Sequence, residues 1–298
     1  SREAVGDWYS IVHEGGPIRS FNRMMPAFGD ALKEEEILAT LSHVKAFCKD
    51  KSWPQGEFNL PRPLFTEKAF PEDESVVTTT FENNAADAIT SKFIYEKRFG
   101  ARSMIEVTLP VGYQRTSLAN DGKDIGIGDL GIGLKHTFYH DLDKGAIVSA
   151  GAEVIFPTGD EQDGFGSGTS VIEPFFTYGQ ILPGDAFFQM HAFAEFPTDS
   201  AHDDEAGLRL ALGKTLTQGG FGRSWSPIIE TLFSRDLVSG ADTNVDIVPQ
   251  FQMSLSTRQH ILFNIGVRIP VNNRNDRDIQ VGMYLIWDWF DGGLFDGW

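Results

Sequence analysis

Charged side chains recur at alternate positions within apolar stretches of this sequence. An ionised group in such a place is expensive unless it lies in water or has a partner of opposite charge. Five acids and three bases occupy these positions: Glu106, Glu153, Glu173, Glu195, Glu230, Lys92, Arg209 and Arg268. They indicate either internal ion pairing or a water-filled lumen that selects for charge. The excess of acids leaves both interpretations open.

Other polar groups point to little further chemistry. Oxygen donors at 202–205 and at Asp121, Asp124 and Asp129 are of the type that calcium prefers, but neither set matches an EF-hand loop, so we expect solvated acidic loops. The glycines at 164–168 precede no helix that would supply a phosphate site. No Gly-x-Ser-x-Gly nucleophile motif is present. The sequence therefore does not indicate an enzyme.

The segments that carry the charges have a period of two, which is typical of strands with unlike faces. Each run between Val245 and Trp289 is close to the roughly 9–11 residues that a tilted strand needs to cross a bilayer. About twelve such segments follow Ser75, separated by turn residues. They are 75–82, 88–99, 103–116, 125–140, 145–156, 169–182, 186–196, 205–216, 225–235, 245–256, 260–271 and 278–290. We predict a mainly β protein, with a transmembrane antiparallel up-and-down β-barrel over residues 75–290; a soluble β-sandwich is the rival fold.

The connections between these segments indicate an orientation. Longer connections alternate with tight ones, and outer-membrane barrels place long loops outside and short turns in the periplasm. An even number of strands returns both ends of the barrel to one side. We therefore expect the bacterial outer membrane as the location, its lipid as a partner, and the N-terminal segment in the periplasm. Apolar positions such as Ile105, Val107 and Leu109 are predicted to face lipid.

Composition excludes several classes. The chain has 298 residues and a formal charge of -17, with no basic stripe for nucleic acid. No apolar run approaches the ~18 residues of a transmembrane helix. The single cysteine, Cys48, excludes an intramolecular disulfide and a four-cysteine metal site. No signal peptide begins at Ser1; because a barrel must be exported, we infer that the sequence starts after processing or inside a longer chain.

Residues 1–49 are predicted to be helical. A first helix spans Arg2–His13, and a second opens at Glu34–Glu36, where carboxylates suit the positive end of the helix dipole. Between them lie methionines whose usual role is packing. Residues 50–74, with four prolines, are predicted to form an extended linker, and 291–298 a C-terminal tail.

The stretch Val12–Pro17, then Met25-Pro26-Ala27-Phe28-Gly29-Asp30, then the helix to Phe47 resembles the second half of a class I cytochrome c domain. In that family the methionine before Pro-Ala-Phe-Gly is the distal ligand of the haem iron. The resemblance implies Met25 as that ligand and haem c as the cofactor. The Cys-x-x-Cys-His attachment motif is not in this sequence. His13 and His43 lie in no attachment motif and are expected to have ordinary roles.

A second resemblance lies in the barrel. Gly128–Lys135, Phe156-Pro157-Thr158-Gly159-Asp160 and the Gly164–Gly168 loop resemble a family of outer-membrane proteins linked to degradation of phenol and related aromatics. Its members are generally regarded as barrel transporters. The resemblance spans most of 75–290, and its motifs are loop-forming glycines and a Pro-Thr-Gly turn.

Two functions follow from these features. The first is a cytochrome–porin fusion that takes part in electron transfer at or across the outer membrane, with periplasmic or cell-surface redox proteins as partners. The second is a channel or transporter for small solutes, aromatic ones included, with a non-redox periplasmic docking segment. Met25 favours the first function, which we take as the main hypothesis, and the barrel family favours the second. A haem on one side of a roughly 30 Å hydrocarbon layer cannot move electrons across it alone.

Overall fold

The computed structural model describes residues 5–16, 24–47, 54–82, 88–113, 125–218, 223–256, 260–274 and 277–288. Two helices come first, α1 (Val5–Glu14) and α2 (Glu34–Lys45). Glu36 closes the first turn of α2 by accepting a hydrogen bond from the backbone N–H of Lys33 at 2.8 Å. None of the helices described is long and apolar enough to cross a membrane. The predicted tail at 291–298 lies outside the described residues.

Within the described residues, fourteen strands form a single antiparallel sheet. Their bounds are β1 (Glu74–Glu82), β2 (Ala88–Phe99), β3 (Ser103–Tyr113), β4 (Ile125–Ile127), β5 (Leu130–Asp141), β6 (Ala146–Phe156), β7 (Val171–Leu182), β8 (Ala186–Pro197), β9 (Glu205–Lys214), β10 (Leu216–Gln218), β11 (Arg223–Asp236), β12 (Asn244–Ser254), β13 (Ile261–Pro270) and β14 (Gln280–Asp288). The short β4 pairs with β3, the same strand that pairs with β5. The short β10 pairs with β11, the same strand that pairs with β9. Twelve long strands remain once these two extensions are set aside.

The sheet closes on itself. β1 pairs with β14 from Glu74↔Asp288 to Glu82↔Gln280, and β9 pairs with β11. Each long strand therefore has a neighbour on both sides, so the part of the sheet that the structure describes leaves no edge for another chain to pair with. The predicted twelve-strand antiparallel barrel behind a small helical part is confirmed. The rival β-sandwich, which has open edges, does not describe this sheet.

The two faces of the barrel carry opposite chemistry. On β5, Leu134 is 54% exposed, whereas its neighbour Lys135 is 2% exposed. The outer face carries large apolar side chains on every side, among them Phe93, Leu109, Ile172, Leu212 and Leu285. A water-soluble protein would show the reverse arrangement, so this alternation is what a barrel in lipid requires.

The two ends of the barrel differ in their connections. Tight turns at 100–102, 142–145 and 183–185 join strands at one end, here called the tight-turn end. Gly100 has a φ of +65°, which suits glycine and explains its presence in the first of these turns. Longer connections at 157–170, 198–204 and 237–243 lie at the opposite, long-loop end. β1 begins at the tight-turn end, so the chain enters the barrel there.

Candidate functional site

Residues 54–73, here called the inner segment, lie inside the barrel. They form a 3-10 turn at Gly56–Phe58 and are otherwise irregular. Phe58 and Phe70 are buried against Ile147 of β6. Leu60 packs on three residues from other parts of the wall, Phe187, Ala211 and Ile228. We predicted an extended linker at 50–74, and the described part of that stretch lies in the lumen.

Wall side chains satisfy the backbone of the inner segment. Glu230 of β11 accepts hydrogen bonds from the backbone N–H groups of Leu64 at 2.9 Å, Phe65 at 3.2 Å and Thr66 at 2.7 Å. Carbonyl oxygens receive donors from elsewhere on the wall: Pro61 from Gln189 at 2.8 Å, Arg62 from Tyr284 and Asn264, Phe65 from Arg209 at 2.8 Å, Lys68 from Lys135 at 2.8 Å, and Ala69 from Ser149 at 2.5 Å. An irregular buried segment needs such partners, because it has no sheet or helix of its own to supply them.

Buried ion pairs add to this attachment. Arg62 donates to Glu74 of β1 at 2.8 Å and to Glu96 of β2 at 2.6 Å. Lys135 of β5 donates to Glu67 of the inner segment at 2.6 Å. Arg98 of β2 pairs with Asp73 of the segment at 2.9 Å, and a pair within the segment joins Lys68 with Glu72. Buried charges need partners of this kind, so the pairs fix where the segment can lie.

The eight charged residues singled out from the sequence all lie on barrel strands, on the face that carries the contacts to the inner segment. Glu230 and Arg209 bind that segment directly. Arg268 pairs with Asp246 at 2.6 Å and lies over the Phe65 ring. One carboxylate oxygen each from Glu106, Glu67 and Glu96 lies within 4.8 Å of the others. The remaining four, Lys92, Glu153, Glu173 and Glu195, lie nearer the long-loop end and are exposed or half-buried.

The connection at 157–170 lies against the inner wall at the long-loop end. The Phe165 ring rests on Gly126, where a Cβ atom would overlap it. Asp129 fixes the loop by accepting hydrogen bonds from Gly159 N–H at 2.8 Å, Ser167 N–H at 2.7 Å and the Ser167 hydroxyl at 2.7 Å. Burial raises the pKa of Asp129, but the hydrogen bonds from Ser167 and Gly159 outweigh burial and hold it below its ordinary value.

Some of the residues that were considered as calcium ligands have other partners in the structure. His202 pairs with Asp199 at 2.9 Å. Asp129 serves the loop contacts just described. Asp121 and Asp124 lie outside the described residues.

Met25 lies in a loop bound to the end of α1. Its carbonyl oxygen accepts a hydrogen bond from Gly16 N–H at 3.1 Å, and Gly29 N–H donates to His13 O at 2.9 Å. The Met25 side chain is half-buried, whereas Met24 is 86% exposed. The His13 ring bonds Glu14 at 2.7 Å. For a haem iron the motif offers the thioether of Met25, and the single cysteine of the chain, Cys48, lies outside the described residues. That donor set does not by itself fit haem c, and ligation by Met25 stays a prediction.

A closed twelve-strand antiparallel barrel, apolar outside and charged inside, has the architecture of a bacterial outer-membrane β-barrel. The chain belongs to the family described as "Putative MetA-pathway of phenol degradation", whose sequence model matches residues 71–278. That match leaves out both helices, so it gives no support to the cytochrome c resemblance. It favours the channel hypothesis over electron transfer.

Solved structures share the fold. The chain is similar to an outer membrane channel from Pseudomonas putida F1, with 12% identity and a TM-score of 0.55, covering 76% of this chain and 99% of that one. It is also similar to the NanC porin, with 8% identity and a TM-score of 0.51, covering 72% of this chain and 98% of that one. Identities this low show a common fold. No curated protein sequence matches the chain.

Sequence reasoning missed the inner segment as a functional element. Its prolines favour an extended linker, but the same stretch carries five large apolar residues: Phe58, Leu60, Leu64, Phe65 and Phe70. A true solvated linker has little reason to carry them. That composition was the available signal. The neutral wall residues that bind the segment, Gln189, Ser149, Asn264 and Tyr284, belong to no pattern that the sequence makes visible.

Proposed function

We propose that this protein is an outer-membrane channel for small solutes, and that its inner segment limits which solutes pass through the lumen. One observation carries the proposal: wall side chains from around the barrel bind the backbone of residues 61–69. A segment held through its own N–H and C=O groups is held in a defined conformation. The inner segment is therefore a fixed structural part of the lumen.

The size of the barrel explains why a channel needs such an element. Wall side chains nearly fill a barrel of about eight strands, and the diameter grows with strand number. A twelve-strand barrel leaves space along its axis, and the inner segment occupies part of that space near the tight-turn end. Solute would pass beside it, along the charged wall.

The proposal includes an orientation and a cargo class. The tight-turn end faces the periplasm with the helices on that side, and the long loops face outside. The family's description refers to phenol degradation, and the similar structure from Pseudomonas putida F1 is described as an outer membrane channel. Both support transport of small solutes, aromatic ones among the candidates. Electron transfer has no comparable contact network behind it and stands on Met25 alone.

Single-channel conductance tests the proposal. Glu230→Gln keeps the size of the side chain but removes the negative charge of the carboxylate that accepts hydrogen bonds from Leu64, Phe65 and Thr66. We expect wild-type protein in planar bilayers to conduct ions, and Glu230→Gln to show higher and noisier current. Glu82→Gln, at the long-loop end, is the matched control and should behave as wild type. Absence of conductance in every form would contradict a channel, and equal currents in wild type and Glu230→Gln would contradict the role of the inner segment.

A further inference from the structure

The register of the sheet places acids opposite one another on successive strands. The directly opposed residues are Asp288↔Glu74, Glu74↔Glu96, Glu96↔Glu106, Glu106↔Gly133, Gly133↔Glu153, Glu153↔Glu173, Glu195↔Glu205 and Glu205↔Asp236. The pair Ile172↔Phe196 sets Glu195 beside Glu173. Gly133 alone interrupts this series, which we call the acidic row.

The acidic row runs from one end of the lumen to the other. Glu74 is the first residue of β1 and Asp288 the last of β14, both at the tight-turn end. Glu205 begins β9 and Asp236 ends β11, both at the long-loop end. Strands in a closed barrel are staggered, so a line of direct neighbours climbs as it goes round. Neighbouring side chains on it start only about 4.5–5.5 Å apart.

Such a row is costly in the absence of cations. Like charges directly opposite one another in a sheet destabilise it. Towards the long-loop end, Glu153, Glu173, Glu195 and Glu205 are half-buried, with hydrogen bonds from no side chain in the part of the lumen that the structure describes. The bases that face them are Lys92, Arg209 and Arg268, of which Arg209 and Arg268 already have other partners. The row therefore keeps an excess of negative charge facing the passage.

At the tight-turn end the row already holds cations, and these are part of the protein. The Arg62 guanidinium bonds Glu74 and Glu96, and the Lys68 ammonium lies 3.9 Å from Glu74. Even so, Glu96 is 0% exposed and its Oε2 has no hydrogen-bond partner among the described residues. A buried carboxylate oxygen without a donor is a place for a further positive group.

We propose that the acidic row makes the channel selective for cations, with small amines and guanidinium compounds as its solutes. This inference rests on the proposed function as a channel. A solute's charged group would move from one carboxylate to the next along the row. At the tight-turn end it would compete with the Arg62 side chain for Glu74 and Glu96. The inner segment thus presents to the wall the same chemistry as the solute.

The reversal potential across a KCl gradient tests this inference, with K⁺ and Cl⁻ as the probes. We expect the permeability of the wild-type channel to K⁺ to exceed its permeability to Cl⁻ by about tenfold or more. That value is the lower end of the range by which a cleft of one charge sign raises the local concentration of counter-ions. Glu153→Gln/Glu173→Gln/Glu195→Gln should bring the ratio close to one. Asp203→Asn, an exposed loop acid outside the row, should leave it unchanged. If the triple variant fails to fold, Glu195→Gln alone should still lower the ratio.

A second measurement addresses the solute class. Methylguanidinium should block K⁺ current in wild type, and the block should weaken in the triple variant. Conductance that shows no cation preference, or a preference that the triple variant keeps, would overturn the inference and leave the channel function standing. An absence of any conductance would instead overturn the proposed function.

Discussion

Thr66 of the inner segment donates both its backbone N–H, at 2.7 Å, and its hydroxyl, at 2.6 Å, to the same oxygen of Glu230 on β11. The two residues are 164 positions apart in the chain. Their contact means that the inner segment is complete only after the strands near the end of the chain have closed the barrel. The position of this segment is therefore a property of the whole fold.

Removing that carboxylate should destabilise the protein. Glu230→Ala leaves the N–H groups of Phe65 and Thr66 without their acceptor, whereas Leu64 N–H keeps Gln250 Oε1 at 3.0 Å, and each unsatisfied donor costs about 1–3 kcal/mol. We expect the free energy of unfolding in detergent to fall by at least about 2 kcal/mol. Glu82→Ala, which removes a carboxylate at the opposite end, should change it far less. An equal loss in both variants would show that Glu230 has no special role.

The Arg62 pairs should behave as a coupled unit. Arg62→Met leaves Glu74 and Glu96 buried with less positive charge beside them, a change that costs about 3–5 kcal/mol for a buried pair. Adding Glu96→Gln to Arg62→Met should recover part of the loss, because one of the uncompensated charges is then removed. A double-mutant cycle on unfolding free energies measures this coupling. Simple additivity of the two substitutions would argue that the residues do not interact.

The loop at 157–170 should keep its contacts to Asp129 until the pH falls well below the ordinary pKa of aspartate. The pKa of Asp129 is lowered in the folded protein, so its contribution to stability is fully present above the ordinary aspartate pKa and is lost as pH falls through the lowered value. We expect deuterium exchange protection of the 157–170 peptide to persist at pH 5. In Asp129→Asn, protection should be weaker at pH 7 and should no longer depend on acid. A wild-type loop that opens at pH 5–6 would contradict this assignment.

Gly126 should tolerate no side chain. Any Cβ at this position meets the Phe165 ring, so Gly126→Val must displace the loop from the wall. We expect this variant to increase cleavage of the 157–170 loop by added protease. Gly126→Val combined with Phe165→Ala should restore resistance, since the ring is no longer present to be displaced. A Gly126→Val variant as resistant as wild type would show that the ring is free to lie elsewhere.

The barrel was predictable because lipid and lumen impose unlike chemistry on alternate residues. Period-two patterning located all twelve long strands, most to within two or three residues at each end. The pattern predicted one strand over 125–140, whereas Gly128 and Asp129 interrupt that segment and accept hydrogen bonds from Thr158 and Gly159 of the neighbouring loop. It likewise ran through Thr215, where β9 ends before β10. Local departures of this kind depend on contacts with distant loops, which periodicity does not reveal.

The interior was harder to predict. Charged residues such as Glu230 and Arg209 stood out in the sequence, but their partners in the inner segment did not. Four acids of the acidic row, Glu106, Glu153, Glu173 and Glu195, were singled out in the sequence, whereas Glu74 and Glu96 were not, and the alignment of the row depends on the register of each strand pair. A shift of two residues in one pair would break the row while leaving the same faces inward. Register follows from turn geometry and packing, so the row emerges only in the folded structure.

The most direct test of the account is the conductance of a barrel whose inner segment has lost the side chains that pack against and pair with the wall, so that its backbone is no longer held in one position. Replacing residues 54–73 with a Gly/Ser sequence of equal length keeps the chain length but removes every side chain that contacts the wall. With correct folding checked by the sheet signal in circular dichroism, we expect a higher single-channel conductance and passage of larger solutes than in wild type, because the lumen of a twelve-strand barrel is then open. A conductance and a solute size limit equal to those of wild type would contradict the account.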